Sequence, residues 1–246
     1  MKQKLIYAIV GMLLIGCIVS CKKNDDKVIP SSSLTIVNTV AGATALVTNF
    51  DSNSKLTFYK TAQQITAYNS ALPFTEFSSY MGTYPLGISL LTDTLHTIYK
   101  GDITIEPGSI HSLFLTGTLT AVDTIYTTDK IPNLLPVDSL ADVRFVNASK
   151  GSLPISVNIK NQATPFIPSL PYKGVSAFAD YSFKKVVPAI TSYIFEIRDV
   201  ATNKVLVTYT LNASTVRLGK SISVALRGLP GGTGVNVQAA SIVNHY

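Results

Sequence analysis

The chain has 246 residues, 46% of them apolar and 14% charged, with no Trp and two Cys. That balance describes a packed globule and excludes a disordered chain. The formal net charge of +6 is spread thinly over scattered Lys and Arg, with no basic stripe interleaved with aromatics, so nucleic acid is not an expected partner.

In chain order, Met1–Lys4 is a short basic start and Leu5–Ile15 is almost wholly apolar. The apolar run ends by Ser20, short of the roughly 18–20 residues that cross a bilayer as a helix. A basic start, a short apolar core and small residues at its end describe a secretory signal peptide, here residues 1–20. Leu14-Ile15-Gly16-Cys17 and Ile18-Val19-Ser20-Cys21 both fit the pattern cut by bacterial lipoprotein signal peptidase. Cys17 is followed by Ile18 and Val19, whereas Cys21 is followed by Lys22-Lys23-Asn24-Asp25-Asp26. The water boundary belongs before that charged cluster, so Cys21 is the expected lipidated residue and Cys17 leaves with the peptide. Several acyl chains on one cysteine, at about 0.8 kcal/mol per buried CH₂, make the anchoring effectively permanent. Residues 21–33 then form a lipidated tether, charged first and rich in Pro and Ser afterwards. The mature body keeps no cysteine for a disulfide, which a core of this size tolerates.

Beyond the tether the chain is written in short strands. "LTIVNTV" (34–40), "TALVTNF" (44–50), "KLTFYK" (55–60), "LGISLL" (86–91), "IHSLFLTGTL" (110–119) and "VDTIYTT" (122–128) are rich in β-branched and aromatic residues. "DVRFVNAS" (142–149), "ISVNIK" (155–160), "SYIFEIRD" (192–199), "KVLVTYTL" (204–211), "KSISVALRG" (220–228) and "VNVQAASIV" (235–243) continue the pattern. In "SYIFEIRD", Tyr193, Phe195 and Ile197 alternate with Ile194, Glu196 and Arg198, which predicts one buried face. No stretch after residue 33 has a helical period. The expected fold is all-β: two tandem Ig-like antiparallel β-sandwich domains, residues 34–133 and 137–246.

The tandem reading rests on internal similarity. Asn49 in "ALVTNFDS" aligns with Asn147 in "VRFVNAS", and the same offset sets Leu72-Pro73 over Leu170-Pro171. "IEPGSIHSLFLTG" (105–117) matches "VRLGKSISVALRG" (216–228) at a slightly larger offset. Gly108 and Gly219 precede a strand in this match, and Gly117 and Gly228 close it, as turn glycines with positive φ would. Each copy is expected to have its own core, with the boundary in the Pro-containing "TTDKIPNLLPVDS" (127–139).

Few residues offer chemistry. His96, His111 and His245 share no ligand spacing, and Glu76, Glu106 and Glu196 lie far apart. No metal site, cofactor or catalytic residue is expected, and the protein is read as a non-enzyme. "GLPGGTGVN" (228–236) lacks the Lys-Ser/Thr and following helix of a phosphate loop and reads as a flexible hairpin loop.

"ADVRFVNAS" (141–149) after a Pro-containing linker, Leu170-Pro171-Tyr172, and a Gly219-x-x-x-Ser223 strand ending at Gly228 resemble the family catalogued as domain of unknown function 4397. The resemblance implies β-sandwich domains, often in tandem, in lipoproteins of the Bacteroidetes, and carries no catalytic residues. "KKNDD" after Cys21 likewise resembles the surface-export signal of that phylum, with Asn24 interrupting it. Asp93-Thr94-Leu95, Asp123-Thr124-Ile125 and Asp138-Ser139-Leu140 resemble the phylum's Asp-Ser/Thr-aliphatic O-glycosylation site, making Thr94, Thr124 and Ser139 candidate glycan acceptors. The resulting expectation is an outer-membrane, lipid-anchored binding or scaffolding module that contacts a protein or glycan. A rival reading is a glycan-binding accessory of a nutrient-uptake system, which a pocket rimmed by exposed Tyr would favour.

Overall fold

The computed structural model describes residues 31–51, 56–57, 60–65, 67–70, 73–79, 81–135, 139–183, 191–214 and 218–245. The signal peptide, Cys21 and the tether up to Pro30 lie outside the described residues. Among the described residues there is no α-helix, and no helix is long and apolar enough to cross a membrane.

The first half supplies β1 (Ser32–Asn38), β2 (Leu46–Asn49), β3 (Gln64–Ile65), β4 (Phe74–Ser79), β5 (Gly82–Leu90), β6 (Asp93–Ile105), β7 (Ile110–Thr118) and β8 (Ala121–Thr128). They form two sheets, ordered β4-β1-β7-β8 and β3-β2-β5-β6. The second half supplies β9 (Leu140–Asn147), β10 (Ile155–Ile159), β11 (Ile167–Leu170), β12 (Ala179–Ser182), β13 (Ser192–Asp199), β14 (Val205–Asn212), β15 (Ser221–Arg227) and β16 (Ala239–Asn244). Their sheets are β12-β9-β15-β16 and β11-β10-β13-β14. Adding eight to each strand number of the first half reproduces the second, so the fold is two tandem Ig-like sandwiches. Among the described strands all pairings are antiparallel except β1–β7 and β9–β15. In each sandwich the first strand runs parallel to the seventh and closes the sheet over a long connection.

Strand β1 begins earlier than the tether boundary drawn from sequence. Ser32 and Ser33 pair with Ser79 and Ser78, and Ser32 Oγ donates to the Glu106 carbonyl at 2.7 Å. The 13-residue β6, the longest strand described, has no counterpart in the sequence reading. It is an edge strand whose exposed side chains are mostly polar, so it lacks the apolar density that marks a strand.

The strand order also corrects the alignment of the halves. Asn147 ends β9, whose counterpart is β1, so its equivalent is Asn38 and not Asn49. Both make the same turn: Asn38 Oδ1 accepts from Val40 N–H and Asn147 Oδ1 from Ser149 N–H, each at 3.3 Å. Asn38 N–H donates to Pro73 O while Asn147 N–H donates to Gly174 O, so the Leu-Pro pairs do not superpose either. The glycine match holds. Gly117 and Gly228 have φ of 94° and 87°, and a Cβ on them would lie 2.3 Å from Ala121 O and 2.4 Å from Val237 O. Gly228→Ala is therefore expected to lose more than the roughly 1–3 kcal/mol of left-handed strain alone, read by urea denaturation.

Each sandwich has its own core. In the first, Leu34, Ile36, Leu46, Ile88, Ile103 and Leu115 meet; in the second, Phe145, Val157, Phe195, Ile197 and Val224. A third cluster joins them: Val37, Phe114 and Ile125 from the first half pack with Val146, Ala148, Ala225 and Val243 from the second. The β4-β1-β7-β8 and β12-β9-β15-β16 sheets thus cover each other, and their inner strands β1, β7, β9 and β15 are buried on both faces. β7 and β15 are buried almost end to end, whereas β5 and β13 in the outer sheets alternate. The glycine-rich segment 228–236 is part of this junction and not a free hairpin loop. Tyr68 of the first half donates its hydroxyl to Val235 O, and the Arg227 guanidinium lies 4.7 Å from the centre of the Tyr68 ring.

Candidate functional site

The outer sheet of the first sandwich carries a groove of about 320 Å³, small for a small-molecule site. Its floor follows from one missing side chain. Gly87 sits in β5 between Asn49 of β2 and Lys100 of β6, its register partners. Side chains on this row stand outward, so a glycine leaves a trough between Asn49 and Lys100. One row along, Ser89 faces Thr97; in the other direction Pro85 faces Asp102. The pairing of β5 with β6 shifts on either side of Ser89, and such irregularities re-aim side chains at sheet edges. Asp51 N–H donates to Asn49 Oδ1 at 3.1 Å, a turn that brings Asp51 back along the sheet.

The groove is lined by Asn49, Asp51, Ser89, Thr94, Thr97, Lys100 and Asp102, with Leu56, Pro85 and Leu86 as apolar surface. Carboxylates, an amide, hydroxyls and an ammonium supply donors and acceptors within one small trough. Among the described residues no Tyr or Phe lines it, so a bound ring would be held by hydrogen bonds along its edges and not by stacking. Of this lining, sequence reasoning singled out Thr94, as a glycan acceptor, and not the groove itself; a lone glycine in a strand was a further trace.

A second polar constellation lies at the junction of the sandwiches. Asp129, in the segment after β8, and Arg144, on β9, are both buried and form an ion pair at 2.6 Å. Ser112 and Thr127 donate to the Asp129 carboxylate at 2.6 Å each. Arg144 also donates to Ser223 Oγ at 2.6 Å, and its guanidinium lies 4.6 Å from the centre of the Phe178 ring. Ser223 Oγ lies 2.7 Å from His245 Nε2. Arg144 and the hydroxyl donors hold the Asp129 carboxyl below its usual range despite burial. Burial and the Arg144 charge push the His245 imidazole down to about 4. The groups satisfy one another within a closed interface, an arrangement that locks two bodies together.

These shifts fix a pH dependence. His245 binds its proton less readily folded than unfolded, so stability is lost as pH falls from its ordinary 6.5 toward 4. Asp129 adds a loss as pH falls through the ordinary carboxylate value of 3.8. Asp142 opposes them: burial and the Asp180 carboxyl raise it from 3.8 to about 7, so its contribution is lost as pH rises through that interval. The wild type is expected to change little in stability between about pH 4 and 6.5. His245→Gln should unmask a fall in stability as pH rises over the same range, measured by thermal unfolding in divalent-free buffers.

The residues singled out from sequence fall in separate places. Thr94 follows Asp93 at the start of β6 and lines the groove. Thr124 is half-buried in β8, and Ser139 is half-buried with φ of 52° in the turn before β9. His96 is exposed and pairs with Asp93 at 2.8 Å. His111 is buried, and its Nε2 meets both Ser109 Oγ at 2.5 Å and Glu106 Oε2 at 3.1 Å. Hydroxyl and acid on the same ring nitrogen do not make the nucleophile–base–acid order of a triad, which uses both nitrogens. Glu196 pairs with Arg198 on β13, Glu76 is exposed on β4 and Glu106 meets His111, so the glutamates do not converge. Among the described residues no three His, Cys, Asp or Glu gather as around a metal ion.

No family model and no curated protein matches the chain. Among solved structures it is similar to the Bacillus anthracis TIE protein, at 8% identity and TM-score 0.25, covering 80% of this chain and 34% of that one. The chain thus spans about a third of that protein's length. It is also similar to family 41 carbohydrate-binding modules from streptococcal virulence factors that recognise α-glucan, at 11% identity and TM-score 0.25, covering 85% and 96%. A third is a family 26 carbohydrate-binding module from Eubacterium rectale in complex with maltoheptaose, at 8% identity and TM-score 0.26, covering 87% and 96%.

Proposed function

We propose that the protein is a lipid-anchored, non-enzymatic binding module of the bacterial outer membrane, of the type resembling domain of unknown function 4397. Its contact surface is the groove around Gly87, and the groove takes a small hydroxyl-rich ligand, a sugar residue of a glycan. The observation that supports this is the groove's make-up: seven hydrogen-bonding side chains around a glycine floor, with three apolar residues beside them. Vicinal hydroxyls both donate and accept, so paired carboxylate, amide and hydroxyl groups match them. Without stacking, the affinity rests on a few solvent-competed hydrogen bonds and is expected to be modest. The lipid on Cys21 supplies the address, and binding is the whole activity.

Calorimetry of the detergent-solubilised full chain against neutral mono-, di- and oligosaccharides tests this. A Cβ at Gly87 would meet Asn49 and Thr97 only at 3.8–3.9 Å, so Gly87→Val fits the strand yet fills the trough. Binding by the wild type and its loss in a folded Gly87→Val support the reading. No binding, or equal binding by both, defeats it. For the anchor, Cys21→Ala is expected to abolish palmitate incorporation and release the chain from membranes, while Cys17→Ala leaves both intact.

A further inference from the structure

Asp142 and Asp180 pose a problem that the proposed binding function does not use. They are register partners on β9 and β12, so their side chains stand side by side on one face of the sheet. Like charges directly opposite each other on a sheet are destabilising. Asp142 is fully buried, whereas Asp180 is exposed on the edge strand. Ser221, the neighbour of Asp142 on β15, donates to Oδ2 at 3.3 Å. Oδ1 is buried and, among the described residues, no amide or alcohol group donates to it.

The contrast with Asp129 is instructive. Asp129 is buried against a guanidinium and two hydroxyls. The carboxyls of Asp142 and Asp180 act on each other, and among the described residues no basic side chain is one of the groups that shift Asp142. Arg144, two residues along the same strand and face, is committed to Asp129, Ser112 and Ser223. A buried carboxylate left so costs far more than a paired one. It needs either a proton or a cation.

We infer that Asp142 and Asp180 form the seat of a hard divalent cation, Ca²⁺ in preference to Mg²⁺, reached from solvent along the β12 edge. Asp142 Oδ1 and the Asp180 carboxylate are the protein ligands, and water fills the remaining positions. Ca²⁺ accepts six to eight oxygens in irregular geometry, whereas Mg²⁺ demands a regular octahedron and gives up water reluctantly. A seat with two carboxylates and an open side therefore favours Ca²⁺, in the roughly 0.1–1 mM range of extracellular modules. Occupancy would tie edge strand β12 to β9 and brace the sheet that faces the first sandwich.

The test uses the full chain in detergent, freed of divalent ions by chelation and held near pH 7.5. CaCl₂, MgCl₂ and, at matched ionic strength, NaCl are titrated while thermal unfolding and calorimetric heat are followed. One Ca²⁺ per chain is expected, with the melting temperature rising as ligand linkage requires and a smaller response to Mg²⁺. Asp180→Asn, at an exposed position, should weaken Ca²⁺ binding about tenfold or more, because ligand charge sets affinity. It should also raise the melting temperature of the cation-free protein by removing the repulsion. Two results overturn the proposal: no Ca²⁺ response beyond that of NaCl, which leaves a shared proton as the answer, or a response that Asp180→Asn leaves unchanged. Asp180→Ala guards against a carboxamide that still ligates. Saccharide binding at the Gly87 groove, measured in parallel, fails or survives independently.

Discussion

Replacing Arg144 by alanine is expected to cost about 3–5 kcal/mol of stability, because it leaves the Asp129 carboxylate buried with no positive partner. The pair is closed in on both sides: the Asp129 side chain is 0% exposed and that of Arg144 is 4% exposed. Removing the guanidinium also takes a donor from Ser112 and from Ser223, and leaves the Phe178 ring without its cation. The unpaired carboxylate can recover only by protonation or by letting water into the junction. Either route loosens the contact between the sandwiches. Joint replacement, Arg144→Met with Asp129→Leu, should fall much closer to the wild type, because exchanging a buried pair for apolar side chains of similar size is often neutral or better. Urea unfolding of the full chain at pH 7 for Arg144→Met, Asp129→Leu and the double variant measures the coupling directly. A double variant as unstable as Arg144→Ala would mean that the surrounding hydroxyls, and not the ion pair, hold the junction.

Arg144 shows where the sequence stops being readable. It stands in "DVRFVNAS" among apolar residues, and its alternation with Val143 and Phe145 reads as an outward, wet position. The reading is right about the strand and right that the side chain leaves its own core. What it cannot know is that a second sheet lies on that side. The partner Asp129 sits in a segment that looks like a linker, fifteen positions away, and nothing local joins the two. In retrospect the double burial has a trace: on the faces opposite the core "HSLFLT" carries Ser112 and Thr116 and "SISVAL" carries Ser221 and Ser223, small hydroxyl residues and not charges. A strand that faces water on one side, such as "SYIFEIRD", carries Glu196 and Arg198 there, and its buried Phe195 and Ile197 are where the alternation puts them.

The repeat was legible at its glycines and misread at its asparagines. Gly117 and Gly228 do a job that no other residue does, so identity of residue implied identity of place. Asn is common wherever a strand turns, and matching Asn49 to Asn147 joined the end of a second strand to the end of a first. The strand that would have corrected the register, β1, lay in plain view as "LTIVNTV", with Asn38 in the place of Asn147. β6 escaped for another reason. Its outward face is Thr97, Lys100 and Asp102, the polar residues that line the groove, so the feature that makes the strand hard to see is the one that makes the site.

Phe195→Ala is expected to be the most damaging single truncation of the second sandwich, at about 3–5 kcal/mol. The ring is fully buried. It meets Phe145 and Tyr181 edge-on at 5.2 and 4.9 Å and stacks with Tyr209 at 6.3 Å and Tyr193 at 6.4 Å, so its removal strips contacts from several rings at once. The hole cannot be filled by collapse, because Phe145 and Ile197 are held in paired strands on opposite sheets. The effect should not stay in one half. Phe145 has Val146 as its chain neighbour, and Val146 packs with Val37 and Phe114 in the layer between the sandwiches. If that layer couples the two bodies, scanning calorimetry of Phe195→Ala will show one transition shifted down as a whole. If it does not, the second sandwich will melt early and the first will keep the wild-type temperature. The first outcome is expected, because strands β1, β7, β9 and β15 bury their second face in the layer between the sandwiches, and a lone sandwich would expose that face to water.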